Sequence, residues 1–236
     1  KTIMDLEKIL ILDFGGQYSK LIARRTRECG VFSEILSYTS SPESIMEKGY
    51  KAIILSGGPA SVYEANAPQC DKAIFDMGLP VLGICYGAQL MANLLDGYVE
   101  KSGSPEYGST MVQVDKKAAL FASPNVEDVT ATWMSHTDYI KTVPYGFNIT
   151  AKTENCPVAA MENNSRKLYA VQFHPEVTNS IHGMDMLKTF LFDICGFKGN
   201  WKMSSFIDDA VAKIKEKAGN GKALCALSGG VDSSVA

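Results

Sequence analysis

Apolar positions along the chain follow two rhythms. Short unbroken runs at Lys8–Asp13, Ala52–Leu55 and Val81–Ile84 read as strands buried on both faces, the kind a parallel sheet uses. Between them, apolar residues three and four apart trace helix faces. Tyr18, Leu21, Ile22 and Cys29 mark one helix, closed by Gly30. Ser41 and Pro42 stand as N-cap and first helical residue of a short helix to about Lys48. Residues 32–36 form a second strand and residues 70–77 a further helix. After Ile84, the residues Ala88, Met91, Ala92 and Leu95 recur at i, i+3, i+4 and i+7. Strands alternating with helices predict an α/β fold, a doubly wound, mostly parallel sheet with helices on both faces. From Tyr98 to Gln172 the helical spacing fades, and short β-like runs appear at residues 111–114 and 129–133. Residues 168–173 are the last strong strand. Met184, Leu187, Leu191 and Ile194 mark a closing helix that stops near Gly196.

Residues 1–196 therefore read as one domain and residues 197–204 as a linker. Residues 205–236 read as the opening of a second α/β unit. In it, Ser205-x-x-Asp208 resembles a capping box, Phe206, Ala210 and Ile214 give a helix face, and residues 223–227 a strand. A strand, a loop and a helix cannot bury their faces alone, so the chain is expected to continue past Ala236.

Composition narrows the class. With 46% hydrophobic and 21% charged residues, the chain is an ordinary folded protein, and a net charge of −3 gives no nucleic-acid or polybasic membrane footprint. No apolar run reaches the ~20 residues needed to span a bilayer. The charged, strand-forming start is not that of a signal peptide. Six cysteines, at 29, 70, 85, 156, 195 and 225, form no Cys-x-x-Cys pair and no metal-ligand spacing. They are expected to be reduced thiols in the cytoplasm, and no metal is expected.

Candidate chemistry centres on residues 81–89. An apolar strand runs into Gly83-Ile84-Cys85-Tyr86-Gly87, and a helix starts at once. Strand, sharp turn and helix make a nucleophile elbow with Cys in place of Ser. Gly83 and Gly87 fit because the turn brings backbone against backbone, where a Cβ would clash. The helix N-terminus favours thiolate over thiol. Downstream, His174-Pro175-Glu176 offers a base and a carboxylate to orient it, since residues two apart in an extended segment share a side. Gly57-Gly58 after the third strand, with the N–H of Tyr86, is a candidate oxyanion hole. Ser228-Gly229-Gly230-Val231-Asp232-Ser233-Ser234 follows a strand and would cradle a phosphate. His136 is read as a hydrogen-bonded loop residue near the pocket, His182 as solvated, and Arg24 and Arg25 as a charged helix face.

These motifs carry a resemblance. Residues 83–87 with Gln89 and Phe173-His174-Pro175-Glu176 resemble class I, triad-type glutamine amidotransferases, over about residues 8–196. Residues 228–234 are similar to the pyrophosphate loop of N-type ATP pyrophosphatases. The resemblance implies a Cys85–His174–Glu176 triad that hydrolyses glutamine, an oxyanion hole at Gly58 and Tyr86, and glutamine binding by Gly57, Gln89, Ser135 and His136. For the longer enzyme it implies ATP with Mg²⁺ at residues 228–234, xanthosine monophosphate as the acceptor of ammonia, and a homodimer. It implies no cofactor for the amidotransferase part. Two alternatives stay open: the amidotransferase component of another biosynthetic enzyme, and a stand-alone γ-glutamyl cysteine hydrolase.

Overall fold

Ile9 and Ile11 enter one apolar core, while Leu10 and Leu12 enter another, so the first strand is lined on both faces. The computed structural model describes residues 7–202, 211–212, 214–219 and 221. In chain order they form β1 (Lys8–Asp13), α1 (Ser19–Glu28), β2 (Phe32–Ser37), α2 (Pro42–Glu47), β3 (Ala52–Leu55) and β4 (Val81–Ile84). There follow α3 (Tyr86–Leu94), β5 (Tyr98–Val114), β6 (Val129–Thr142), β7 (Asn148–Lys152), β8 (Ala160–Asn163), β9 (Leu168–Val171) and α4 (Gly183–Lys188). A π-helical stretch, Thr189–Ile194, continues α4.

Among the described residues, nine strands make one sheet in the order β2-β1-β3-β4-β9-β8-β7-β5-β6. From β2 to β9 the pairing is parallel, and from β9 to β6 it is antiparallel. Helices cover both faces of the parallel half. Ile22 and Ala23 of α1 and Met186 and Leu187 of α4 join the core of Ile9. Ile45 of α2 and Ala88, Leu90 and Met91 of α3 join the core of Leu10. The doubly wound layout expected from the sequence is thus present.

Three local readings differ. Residues 70–77 give only a 3₁₀ helix, Lys72–Asp76, because Asp71 caps it at Ala73 and Gly78 at φ +73 ends it after little more than a turn. β5 and β6 run much longer than the two short runs read from the sequence, since much of β5 is exposed and polar and its apolar alternation is faint. Ser135 and His136 therefore lie within β6 rather than after it.

By compactness the chain divides into Lys1–Asn200 and Trp201–Ala236. In the second unit, residues 211–212 and 214–218 are helical. The capping box at 205–208, the strand at 223–227 and the phosphate loop at 228–234 lie outside the described residues. Among the described residues no helix is long and apolar enough to cross a membrane.

The parallel half brings the ends of β1, β3, β4 and β9 to one edge, where sites in such sheets form. There β4 meets α3 at close range. A Cβ on Gly83 would stand 2.7 Å from the Gly87 oxygen, and one on Gly87 only 2.5 Å from the Leu55 oxygen. Gly87→Ala is expected to lower stability by more than ~2 kcal/mol. Gly103→Ala, with nothing within 4 Å, should stay within ~0.5 kcal/mol. Denaturant midpoints of the two variants test this.

Candidate active site

Cys85 sits at the corner between β4 and α3 with φ +53 and ψ −108. A side-chain-bearing residue in this region costs about 1–3 kcal/mol and persists only where its surroundings fix it. Here they do. The Cys85 N–H donates to the Val171 carbonyl at 2.8 Å, and the Gly87 N–H to the Ser56 carbonyl at 3.1 Å. The sulfur lies at the floor of a cleft in a residue only 6% exposed. The other described cysteines are free, as expected. Burial pushes the thiols of Cys70 and Cys156 up to about 12 and raises those of Cys29 and Cys195. Cys225 lies outside the described residues.

His174 reaches Cys85 from the segment that follows β9. Its N–H donates to the Trp133 carbonyl at 3.0 Å. The Ser180 hydroxyl donates to its carbonyl at 2.6 Å and accepts the Trp133 N–H at 2.9 Å. The imidazole Nδ1 lies 2.7 Å from Glu176 Oε1, and the ring stands beside Cys85, both within 4 Å of the place a Cβ on Gly57 would take. Burial works against charge on this ring. The hydrogen bonds to Cys85 and Glu176, with the negative charge of both, win and push the imidazolium up to about 10. A protonated ring is the state of His174 this favours.

His174 and Glu176 pair as the sequence suggested, but on a different backbone. β9 ends at Val171, and residues 174–176 enter a turn instead of staying extended. Arg25 on α1 helps hold that turn, donating from Nε to the Glu176 carbonyl at 3.0 Å. The charged-face reading fits Arg24, which pairs with Glu28 at 2.8 Å on the exposed side. It misses this inward contact of Arg25. His182, half-buried, lies 3.5 Å from Asp185.

The cleft holds about 460 Å³, ample for an amino acid. Gly57, Gly58, Tyr86, Gln89, Ser135 and His136 all line it with Cys85 and His174. A Cβ on Gly57 would lie 3.1 Å from His174 Cε1 and 3.7 Å from Cys85 Cβ, so a side chain there would crowd the imidazole. The Ser135 carbonyl is 3.7 Å from the Cys85 sulfur. Gln89 donates from Nε2 to the Asp138 carbonyl at 2.7 Å and to Gln172 Oε1 at 3.1 Å. Asp138 also lines the cleft, its carboxylate accepting the hydroxyls of Ser61 and, at 2.9 Å, Tyr63.

Asp138, Gln172, Arg25 and Ser180 are contacts that reasoning on the sequence missed. One signal was available for Asp138. Thr130, Thr132, Met134, His136, Asp138 and Ile140 alternate strictly, and all are buried on one side of β6.

His136 is buried within the strand. Its Nδ1 lies 2.9 Å from the Asp138 carbonyl and its Nε2 3.2 Å from Glu106 Oε2, across the β5–β6 register. Burial lowers its pKa. Glu106 Oε1 accepts the Thr153 hydroxyl at 2.6 Å. One ligand atom each from Glu106, His136 and Cys156 lie within 4.8 Å of one another, a donor set suited to a divalent metal. The nitrogen and the carboxylate already bond each other, which closes this group without an ion. No spacing in the sequence announces it, because its members come from separate segments.

The profile of the class-I glutamine amidotransferases matches residues 10–194. Over 233 residues the chain is 56% identical to a GMP synthase [glutamine-hydrolyzing] of Clostridium botulinum, and 54% identical to one of Acetivibrio thermocellus. These matches cover 99% of this chain and 45% of each relative, so the chain spans about half the length of the curated relatives it matches. Among solved structures, a Thermoplasma acidophilum protein proposed to be one component of a GMP synthase is similar at 28% identity and TM-score 0.68. The likeness covers 87% of this chain and 98% of that one. A glutamine amidotransferase of Thermotoga maritima shares the fold at 20% identity and TM-score 0.59, over 90% of this chain and 92% of that one.

The raised pKa of His174 has a consequence with a definite sign. The stabilisation it carries is complete below its ordinary 6.5 and is lost as pH rises through about 10. NMR titration of the His174 ring should show imidazolium through neutral pH. Glu176→Gln should bring the midpoint down by about one unit or more. An unmoved midpoint would show that Glu176 does not hold the proton.

Proposed function

Because this chain belongs to the class-I glutamine amidotransferase family, we propose that it hydrolyses glutamine with Cys85, His174 and Glu176 and is the amidotransferase portion of a GMP synthase. The observation that carries the reading is the convergence of Cys85 and His174 in one amino-acid-sized cleft, with Glu176 Oε1 2.7 Å from the His174 ring.

The Cys85 thiolate attacks the side-chain amide carbon of glutamine. The oxyanion rests on the N–H groups of Gly58 and Tyr86. His174, already protonated, gives its proton to the departing nitrogen, the C–N bond breaks, and ammonia leaves a γ-glutamyl thioester on Cys85. The neutral imidazole then takes a proton from water, whose oxygen attacks the thioester. Glutamate leaves, and thiolate and imidazolium are restored together. Glu176 holds the ring in the tautomer this needs. The Asp138 carboxylate lines the cleft and suits the substrate ammonium, while Gly57, Ser135 and His136 shape the walls.

In the full-length protein, ammonia passes to xanthosine monophosphate activated with ATP and Mg²⁺, and residues 228–234 hold the ATP phosphates. Identity of 56% to a protein named for glutamine-hydrolysing GMP synthesis supports this second half of the reading. The boundary between the two activities falls in residues 197–204, and a cytoplasmic homodimer completes the proposal.

Cys85→Ala in the full-length protein should abolish glutamine-dependent GMP formation and leave synthesis from added ammonia. Joint loss of both would make Cys85 structural. A γ-glutamyl electrophile should label Cys85 alone among the cysteines, as peptide mapping would show. Asp138→Asn is expected to raise KM for glutamine at least tenfold, about 1.4 kcal/mol, with a smaller change in kcat. An unchanged KM would remove Asp138 from substrate binding.

A further inference from the structure

Gln172 directly follows β9 and is 1% exposed. Its side chain lies between Gln89 and the reactive sulfur, with Nε2 3.7 Å from Cys85 Sγ. The direction in which this amide points follows from a fixed end of the network. The Asp138 carbonyl can only accept, so the group Gln89 sets against it at 2.7 Å is its NH₂. The other hydrogen of that NH₂ meets Gln172 at 3.1 Å, which therefore turns its oxygen toward Gln89. The nitrogen of Gln172 is left facing the sulfur. Both amide hydrogens of Gln89 are thus committed inside the protein.

Among the described residues, two other groups come close to the sulfur. The Ser135 carbonyl, at 3.7 Å, can accept from a thiol but repels a thiolate. His174 donates to a thiolate but must part with its proton in every turnover. The amide of Gln172 donates without titrating. It is the donor on this sulfur that stays in place through both halves of the reaction.

We propose that Gln172 is a catalytic residue, its amide N–H holding the Cys85 thiolate, and that Gln89 is the positioning residue that keeps this amide turned toward the sulfur. The inference rests on the glutamine-hydrolysis reading for its catalytic meaning, but the donor itself can be tested without glutamine. As thiolate is expelled from the thioester, the forming S⁻ meets a donor already aimed at it. Such preorganised donors act without rearrangement at the moment of reaction.

The test uses the full-length protein and the pH dependence of iodoacetamide alkylation at Cys85, followed by mass mapping. Gln172→Met keeps length and loses the donor. Gln172→Glu keeps shape and sets a carboxylate beside the sulfur. The alkylation midpoint should rise by about one pH unit in Gln172→Met, a tenfold loss of rate below it, and further in Gln172→Glu. In both, kcat for glutamine hydrolysis at neutral pH should fall by a similar factor, with KM nearly constant. Midpoints equal to wild type, with activity lost or kept, would overturn the proposal and leave Gln172 as packing. Should either variant fail to fold, the wild-type protein supplies the readout: the side-chain amide protons of Gln172 should shift in NMR as Cys85 titrates, and an unmoved signal overturns the proposal. Wild-type protein that alkylates at Cys85 with the expected variant shifts but does not hydrolyse glutamine would sink the functional reading and leave the donor in place.

Discussion

At Cys85 the backbone passes from strand to helix at φ +53, a conformation that side-chain-bearing residues avoid. It is held because β4 is pinned between β3 and β9, and because α3 approaches so closely that only hydrogen atoms fit at Gly83 and Gly87. Release of that packing would let the corner relax and swing the sulfur out of line. The backbone of Gly57 and Gly58, the imidazole and the buried amides all line the cleft around this one bend. Strain at Cys85 is sustained by the two apolar cores on either face of the sheet.

The electrostatics follow from depth. A histidine as buried as His174 would ordinarily lose its proton. It keeps it because Cys85 and Glu176 flank the ring on either side and share its low-dielectric surroundings. His136, equally enclosed and facing Glu106, is driven the other way by burial. The difference is that His174 has its carboxylate at 2.7 Å and Cys85 beside the ring as well. His136 bonds one carboxylate and one backbone carbonyl. Two histidines near one cleft are thereby set to different protonation states.

Much of the site could be read from the chain. Gly83, Cys85 and Gly87 declare a tight corner, since glycine at both flanks has a steric reason the structure makes explicit. His174 and Glu176 declare a pair through their spacing. Gly57 follows a strand whose end had to lie beside that corner in a parallel sheet. The contacts that were missed share a cause. Gln172, Ser180 and Arg25 are residue types common on surfaces, and nothing in their spacing marks them. Each acquires its part only when a distant segment supplies the partner: Gln89 for Gln172, Trp133 for Ser180, the Glu176 carbonyl for Arg25. Asp138 was hidden because the strand around it was read as ending at Trp133, although its alternation runs on to Ile140.

By itself, then, the sequence determined what depends on local sterics and periodicity: the alternating strands and helices, the glycine-flanked corner at Cys85 and the pairing of His174 with Glu176. These are set within a few residues by backbone conformation and side-chain spacing, and the chain carries that information wherever it goes. Tertiary structure decided what depends on burial and long-range pairing. It chose the antiparallel extension of the sheet, the turn that brings Glu176 to His174, the charge state of each histidine and the amide that faces the sulfur. Desolvation and hydrogen-bond direction exist only once segments from opposite ends of the chain have closed around a common interior. No spacing rule can report them beforehand.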